Sequence, residues 1–198
     1  MKLKRTAHDR GDLAKDEDSQ IWGELARIRG AEKRPPSEHV AALVPLLKER
    51  GVEKILDIGC GHGRDSLFLA REGFIVTGMD KSQEALDVVK KKAEEETLKN
   101  VHTLLGEAKK IPAQDSTYDA AIANLVLDLL KMPDRNEALK EIERVLKPGG
   151  IASITGNFSR EDIRDMRATL KNFNFLTPDD ERVAEVGKIQ EIIVEKKQ

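Results

Sequence analysis

The chain has 198 residues, enough for one domain closing a single hydrophobic core. Charged residues make up 35 %, against roughly 25 % in an average globular domain. This surface fits a heat-adapted source and, equally, a merely very soluble protein. The charge is balanced, 34 basic against 36 acidic side chains. The basic runs Lys90-Lys91-Lys92 and Lys109-Lys110 are offset by Glu94-Glu95-Glu96 and Glu107, so no basic face of the kind a duplex binder shows is legible and nothing demands nucleic acid. Cys60 stands alone, which excludes an intrachain disulfide and a cysteine-based zinc site. The first residues, MKLKRTAHDRGDLAKDED, lack the apolar stretch of a signal peptide, and no segment approaches the roughly 18 apolar residues of a membrane helix. The expected location is cytoplasmic.

Residues 1–36 read as a charged N-terminal segment in which only Ile21, Trp22, Leu25 and Ile28 offer an apolar face, at the spacing of a short helix. It is a candidate lid. Pro35-Pro36 breaks the chain, and residues 37–198 form the main domain. Val40, Leu43, Val44 and Leu47 predict an amphipathic helix that Pro45 should kink or split and Gly51 should end. KILDIG (54–59) reads as a buried strand, and a helix over 64–71 follows. FIVTGMD (74–80) is the next strand, 83–98 a long helix, VHTLLGE (101–107) and YDAAIAN (118–124) further strands. Residues 135–146 predict a helix, IASITG (151–156) a strand, and Ser159 with Asp162 a capping box opening a helix to about Lys171. Two last strands, near 182–186 and 189–195, predict an antiparallel hairpin turning at Gly187. Strands alternating with helices imply an α/β domain, a doubly wound, mostly parallel sheet with helices on both faces. Ligands of such sheets bind beyond the carboxyl ends of the strands.

The strongest motif lies there. Asp57-Ile58-Gly59-Cys60-Gly61-His62-Gly63 joins the first strand to the next helix, and its glycines allow a sharp turn and close approach of a ligand to main chain. Asp57 would repel a pyrophosphate but suits an ammonium, which favours S-adenosylmethionine over NAD. Asp80 ends the second strand, where a carboxylate can accept from both ribose hydroxyls; alternatively it is a helix-start charge ahead of Lys81-Ser82. Glu107 and Ala108, after the third strand, offer a carboxylate and a backbone N–H to an adenine edge; Glu107 also reads as a solvated charge. Asn124 ends the fourth strand at the pocket mouth. Leu146-Lys147-Pro148-Gly149-Gly150 is structural, stopping a helix and starting a strand.

In this order and spacing the elements resemble the class I S-adenosylmethionine-dependent methyltransferases, well over about 37–156. The run GHGRDSLFLAREGFIVTGMDKS is similar to their small tellurite-resistance-type branch. The resemblance implies a seven-stranded sheet with its last strand antiparallel. It implies that Asp57, Gly59 and Gly61 hold the methionyl end, with Cys60 a small residue whose N–H faces the cofactor. Asp80, with Lys81 beside it, would hold the ribose, and Glu107 with Ala108 the adenine, although relatives usually carry Asp at the Glu107 position. Many relatives have His where this chain has Asp128, so that role does not transfer.

Methyl transfer from a sulfonium is an in-line displacement, in which alignment can supply roughly 7–11 kcal/mol without a base. No catalytic residue is therefore assigned, and positioning is expected to suffice; Asp128 and His62 are the base candidates nearest the pocket. The stretch Asn124-Leu125-Val126-Leu127 lacks the Asn/Asp-Pro-Pro-aromatic loop of base- and glutamine-amino methylation. Carbon-5 pyrimidine chemistry needs a cysteine outside the glycine loop, and there is none. His8, His39 and His102 are scattered, so no metal site is read; His62 faces the acceptor or serves the turn. A small-molecule acceptor is expected. The rival readings are an NAD oxidoreductase, a protein or RNA methyltransferase, and a silent S-adenosylmethionine-binding module.

Overall fold

The computed structural model describes residues 35–177 and 189–198. The apolar run after residue 53 forms β1 (Lys54–Ile58), buried at every position after Lys54. A parallel strand covered on both faces has no polar side to show, so its buried positions are apolar except Asp57 near the carboxyl end. In chain order the other elements are α1 (Glu38–Glu49), α2 (Arg64–Arg71), β2 (Ile75–Asp80), α3 (Gln83–Glu95), β3 (Val101–Leu105), β4 (Tyr118–Asn124), α4 (Met132–Val145), β5 (Leu146–Gly156), α5 (Arg160–Thr169), β6 (Phe173–Phe175) and β7 (Gln190–Lys196). A 3-10 turn, Leu127–Leu129, lies between β4 and α4.

The strands form one seven-stranded sheet in the order β3-β2-β1-β4-β5-β7-β6. The first five are mutually parallel, while β7 runs antiparallel to both β5 and β6. Alternate residues of each strand feed two cores, one on each face. Leu56, Ile58, Ala121 and Ala123 meet Leu139 and Ile142 of α4 and Met166 of α5. Ile55, Ala120 and Ile122 meet Val40 and Leu47 of α1 and Leu69 of α2. Helices thus cover both faces, as the alternating pattern requires.

Two expectations need correction, and a third falls partly outside the described residues. Pro45 does not split α1, which runs on through Glu49. Pro45 sits on the exposed side, where water can reach the carbonyl it leaves unpaired, and the buried stripe of Val40, Leu43, Val44 and Leu47 spans it. The antiparallel partner of β7 is Phe173–Phe175, directly after α5; the strand expected near 182–186 and its turn at Gly187 lie outside the described residues. Three residues alternating buried, exposed and half-buried carry too little periodicity to be read in advance. Finally, α4 starts at Met132, and β5 starts at Leu146 and so takes in the Pro-Gly-Gly turn. The capping box at Ser159 and Asp162 forms as expected. Among the described residues, no helix is long and apolar enough to cross a membrane.

Candidate functional site

The chain winds from β1 through β2 to β3 on one side, then crosses to place β4 on the other side of β1. Between β1 and β4 the order reverses, and in sheets of this kind ligands bind beyond the carboxyl ends at that point. Because the five strands are parallel, Asp57, Asp80, Glu107, Asn124 and Gly156 come to the same end of the sheet. Register fixes their heights: Asp57 lies opposite Gly78 and Ile122, Asp80 opposite Leu105, and Asn124 opposite Thr155.

Gly59, Gly61 and Gly63 all have positive φ (68°, 53° and 80°). At Gly59 an added Cβ would stand 2.4 Å from Val126 Cγ2, and at Gly63 2.8 Å from Val89 Cγ2. Those two glycines pack the loop against the turn after β4 and against α3. At Gly61 nothing lies within 4 Å of the Cβ position. Among the described residues, Gly61 alone of the three loop glycines leaves its main chain facing open space, where a ligand can approach backbone directly. The Gly61 N–H donates to Asp80 Oδ2 at 2.9 Å, and Asp80 Oδ1 accepts from the Ser82 N–H at 2.9 Å. Asp80 therefore holds both the loop and the start of α3.

Beneath the loop, Asp57 is buried and accepts from Ser66 Oγ at 2.5 Å. Burial, and next the neighbouring Asp65 charge, push its carboxyl up from 3.8 to about 7. Asp57 is thus a titratable carboxyl beneath the glycines. Cys60 donates its N–H to Met79 O and lies against Gly78, where a Cβ would stand 3.0 Å from its Sγ. Burial, then the Asp57 charge, push its thiol well above 9.0, which keeps it protonated and a poor nucleophile.

Asp65, in the first turn of α2, is a hub that the sequence reading missed. It accepts from the Ser37 N–H at 2.8 Å, from Ser37 Oγ at 3.2 Å, from the Arg64 guanidinium, and from Asn124 Nδ2 at 2.9 Å. Burial raises its pKa, but Arg64, Ser37 and Asn124 outweigh that and hold it below 3.8. Asn124 Oδ1 in turn accepts from Thr155 Oγ1 at 2.6 Å. Expected at the pocket mouth, Asn124 is tied at both ends of its amide and braces β4 against α2 and β5. Ser66, Ser37 and Thr155 went unread for the same reason: each acts on a residue distant in sequence, and polar first-turn residues look like surface.

Glu107 is exposed at the strand end, 3.9 Å from Lys109 Nζ. Ala108 packs against the core, and Lys81 is exposed just ahead of α3. His62, expected at the acceptor or in the turn, is buried. Trp22 and the rest of residues 1–34 lie outside the described residues.

Residues 55–150, from β1 into the start of β5, match the family model for a methyltransferase domain. That segment is thus similar to a methyltransferase domain. Among curated proteins the chain is 34 % identical over 115 residues to Methyltransferase GfsG of Streptomyces halstedii, covering 57 % of this chain and 41 % of that protein. It is 38 % identical over 112 residues to a demethylmenaquinone methyltransferase of Staphylococcus aureus, covering 54 % and 45 %. The chain thus matches less than half the length of these relatives. Among solved structures it resembles a SAM-dependent methyltransferase from Methanosarcina mazei (TM-score 0.64, 21 % identity, 77 % of this chain and 97 % of that one). It also resembles the [4+2]-cyclase SpnF (TM-score 0.65, 24 % identity, 79 % and 80 %). These two likenesses speak to fold. The matched segment holds the glycine loop, Asp80, Glu107 and Asn124, so the candidate site lies within the stretch that is similar to a methyltransferase domain.

Proposed function

We propose that this chain is an S-adenosylmethionine-dependent methyltransferase acting on a small-molecule acceptor. The observation that carries the reading is the loop from Asp57 to Gly63, in open approach at Gly61 and fastened to Asp80, inside the segment that matches the methyltransferase domain. Bare main chain at Gly61 and a titratable charge beneath it suit an amino-acid end carrying an ammonium. Asp80 has lone pairs left beyond its two backbone bonds for a ribose, and exposed Glu107 with the Ala108 N–H suits an adenine edge. S-adenosylmethionine, when bound, supplies an already activated methyl group; the chain's part is to hold the cofactor, aim the acceptor and exclude water. The named curated relatives methylate, and one is named for demethylmenaquinone, a small organic molecule. The tellurite-type likeness of residues 61–82 extends to no relative named here. Residues 1–36 are proposed to cover the acceptor, and a cytoplasmic location goes with this reading.

Calorimetric titration with S-adenosylmethionine, S-adenosylhomocysteine and NAD tests the cofactor: heat for the first two and none for NAD is expected, and the reverse overturns the reading. A metabolite panel with tritiated cofactor tests turnover. Label in tRNA or protein lysine, with no metabolite labelled, overturns the small-molecule acceptor. SpnF, described as a cyclase on the same fold, makes the silent-module alternative concrete: cofactor binding without labelling of any acceptor would favour it.

A further inference from the structure

The turn after β4 holds a carboxylate whose hydrogen bonding is incomplete. Asp128 Oδ2 accepts from the Asn157 N–H at 3.2 Å, joining this turn to the loop after β5. Asp128 Oδ1 is buried and has no hydrogen-bond partner among the described residues. Leaving such an oxygen unpaired is unfavourable, and in native proteins an unsatisfied group of this kind calls for an explanation. The turn is not free to shed the cost by moving. Buried Arg135 donates Nε to Leu127 O at 2.9 Å and Nη2 to Leu130 O at 3.0 Å, and its Nη1 is bonded to Asp162 at the start of α5. Gly156 makes room at the end of β5, since a Cβ there would stand 3.0 Å from Asp128 Cβ.

The surroundings are apolar. Leu125 and Leu129 flank Asp128 in sequence and are 42 % and 52 % exposed. Leu125 is held at φ 58°, a left-handed conformation rare for a branched side chain and one that clusters at functional sites. Phe158 is buried beside Arg135, whose guanidinium lies 5.4 Å from its ring centroid.

Building on the methyltransferase reading, we propose that Asp128 recognises the acceptor, a largely apolar molecule carrying a hydroxyl, by accepting a hydrogen bond from that hydroxyl at Oδ1. The leucines take the apolar body, and Oδ1 is also where the hydroxyl proton can be held when the oxygen is methylated. This narrows the expectation that positioning alone suffices.

2-Naphthol and 2-methoxynaphthalene share a shape and differ by one donor. Each is titrated into the full chain with S-adenosylhomocysteine present, reading naphthalene fluorescence. 2-Naphthol is expected to bind about tenfold tighter or more, the size of a hydrogen bond to a carboxylate. Asp128→Ala and Asp128→Leu, which leave no acceptor, are expected to bring the ratio to about one while S-adenosylhomocysteine affinity stays unchanged; two variants are used so that one misfolded protein does not stop the test. Equal binding of the two probes to the parent overturns the proposal, as does a ratio that survives both substitutions. Tighter binding of 2-naphthylmethylamine than of 2-naphthol also overturns it. If S-adenosylhomocysteine gives no heat but the naphthol preference appears and is lost in the variants, the cofactor reading fails and the Asp128 assignment stands.

Discussion

The backbone N–H of Gly61 donates a 2.9 Å hydrogen bond to Oδ2 of Asp80, fastening the glycine loop after β1 to the end of β2. The residue expected to read a ribose therefore also sets the loop that would hold the other end of the cofactor. Asp80→Ala is expected to weaken S-adenosylhomocysteine binding by about 1.5–3 kcal/mol, the range for hydrogen bonds to a charged group. Asp80→Asn keeps one acceptor for Gly61 and should recover part of the loss. Calorimetry measures both. Affinity unchanged in both variants would show that Asp80 serves the loop and α3 alone.

The glycines of the loop should respond differently to alanine. Gly59→Ala drives a Cβ to 2.4 Å from Val126 in a left-handed backbone and should cost about 2–4 kcal/mol in urea denaturation. Gly61→Ala meets nothing and should cost only the backbone strain, about 1–2 kcal/mol. Gly61→Val should abolish cofactor heat while circular dichroism stays native. Equal losses of stability at the two positions would contradict the packing described here.

Asp57 predicts a pH dependence. Its folded pKa of about 7 lies above its ordinary 3.8, so the folded state keeps a proton that the unfolded chain releases. The native state is favoured fully below pH 4 and loses that advantage as pH rises to about 7, by at most roughly 4 kcal/mol. Asp57→Asn keeps an acceptor for Ser66 and cannot ionise. Its melting temperature minus that of the parent should therefore grow between pH 4 and 7 and level off above. A difference flat across that window would sink the assignment. A cofactor ammonium favours the charged form, so binding should release a proton near pH 7, visible as a buffer-dependent heat.

Among the described residues, Val40 is the first to enter either core. A chain beginning at Pro35 should therefore melt within a few degrees of the parent and keep its circular dichroism, and Ser37 would retain its bonds to Asp65. Cofactor affinity should be largely kept, and turnover reduced or altered. Full turnover would remove the proposed cover, and unfolding would show that the segment belongs to the core.

The run KILDIG, the spacing of Val40, Leu43, Val44 and Leu47, and the Ser159–Asp162 box announced their elements because each signal is local. Burial periodicity and capping act within one turn or strand, so no distant partner is needed to read them. The loop from Asp57 to Gly63 was legible likewise, since positive φ demands glycine wherever the chain ends up. Tertiary structure alone decided that Asn124 braces Asp65 and Thr155, that Ser66 lies under Asp57, and that Arg135 pins the turn bearing Asp128. Those partners lie 8–59 residues apart in sequence and meet only through the order in which the strands pair. It also let α1 run through Pro45, where packing of a buried stripe outweighed a local rule, and made a strand of Phe173–Phe175, three residues that are extended because β7 lies alongside to bond them.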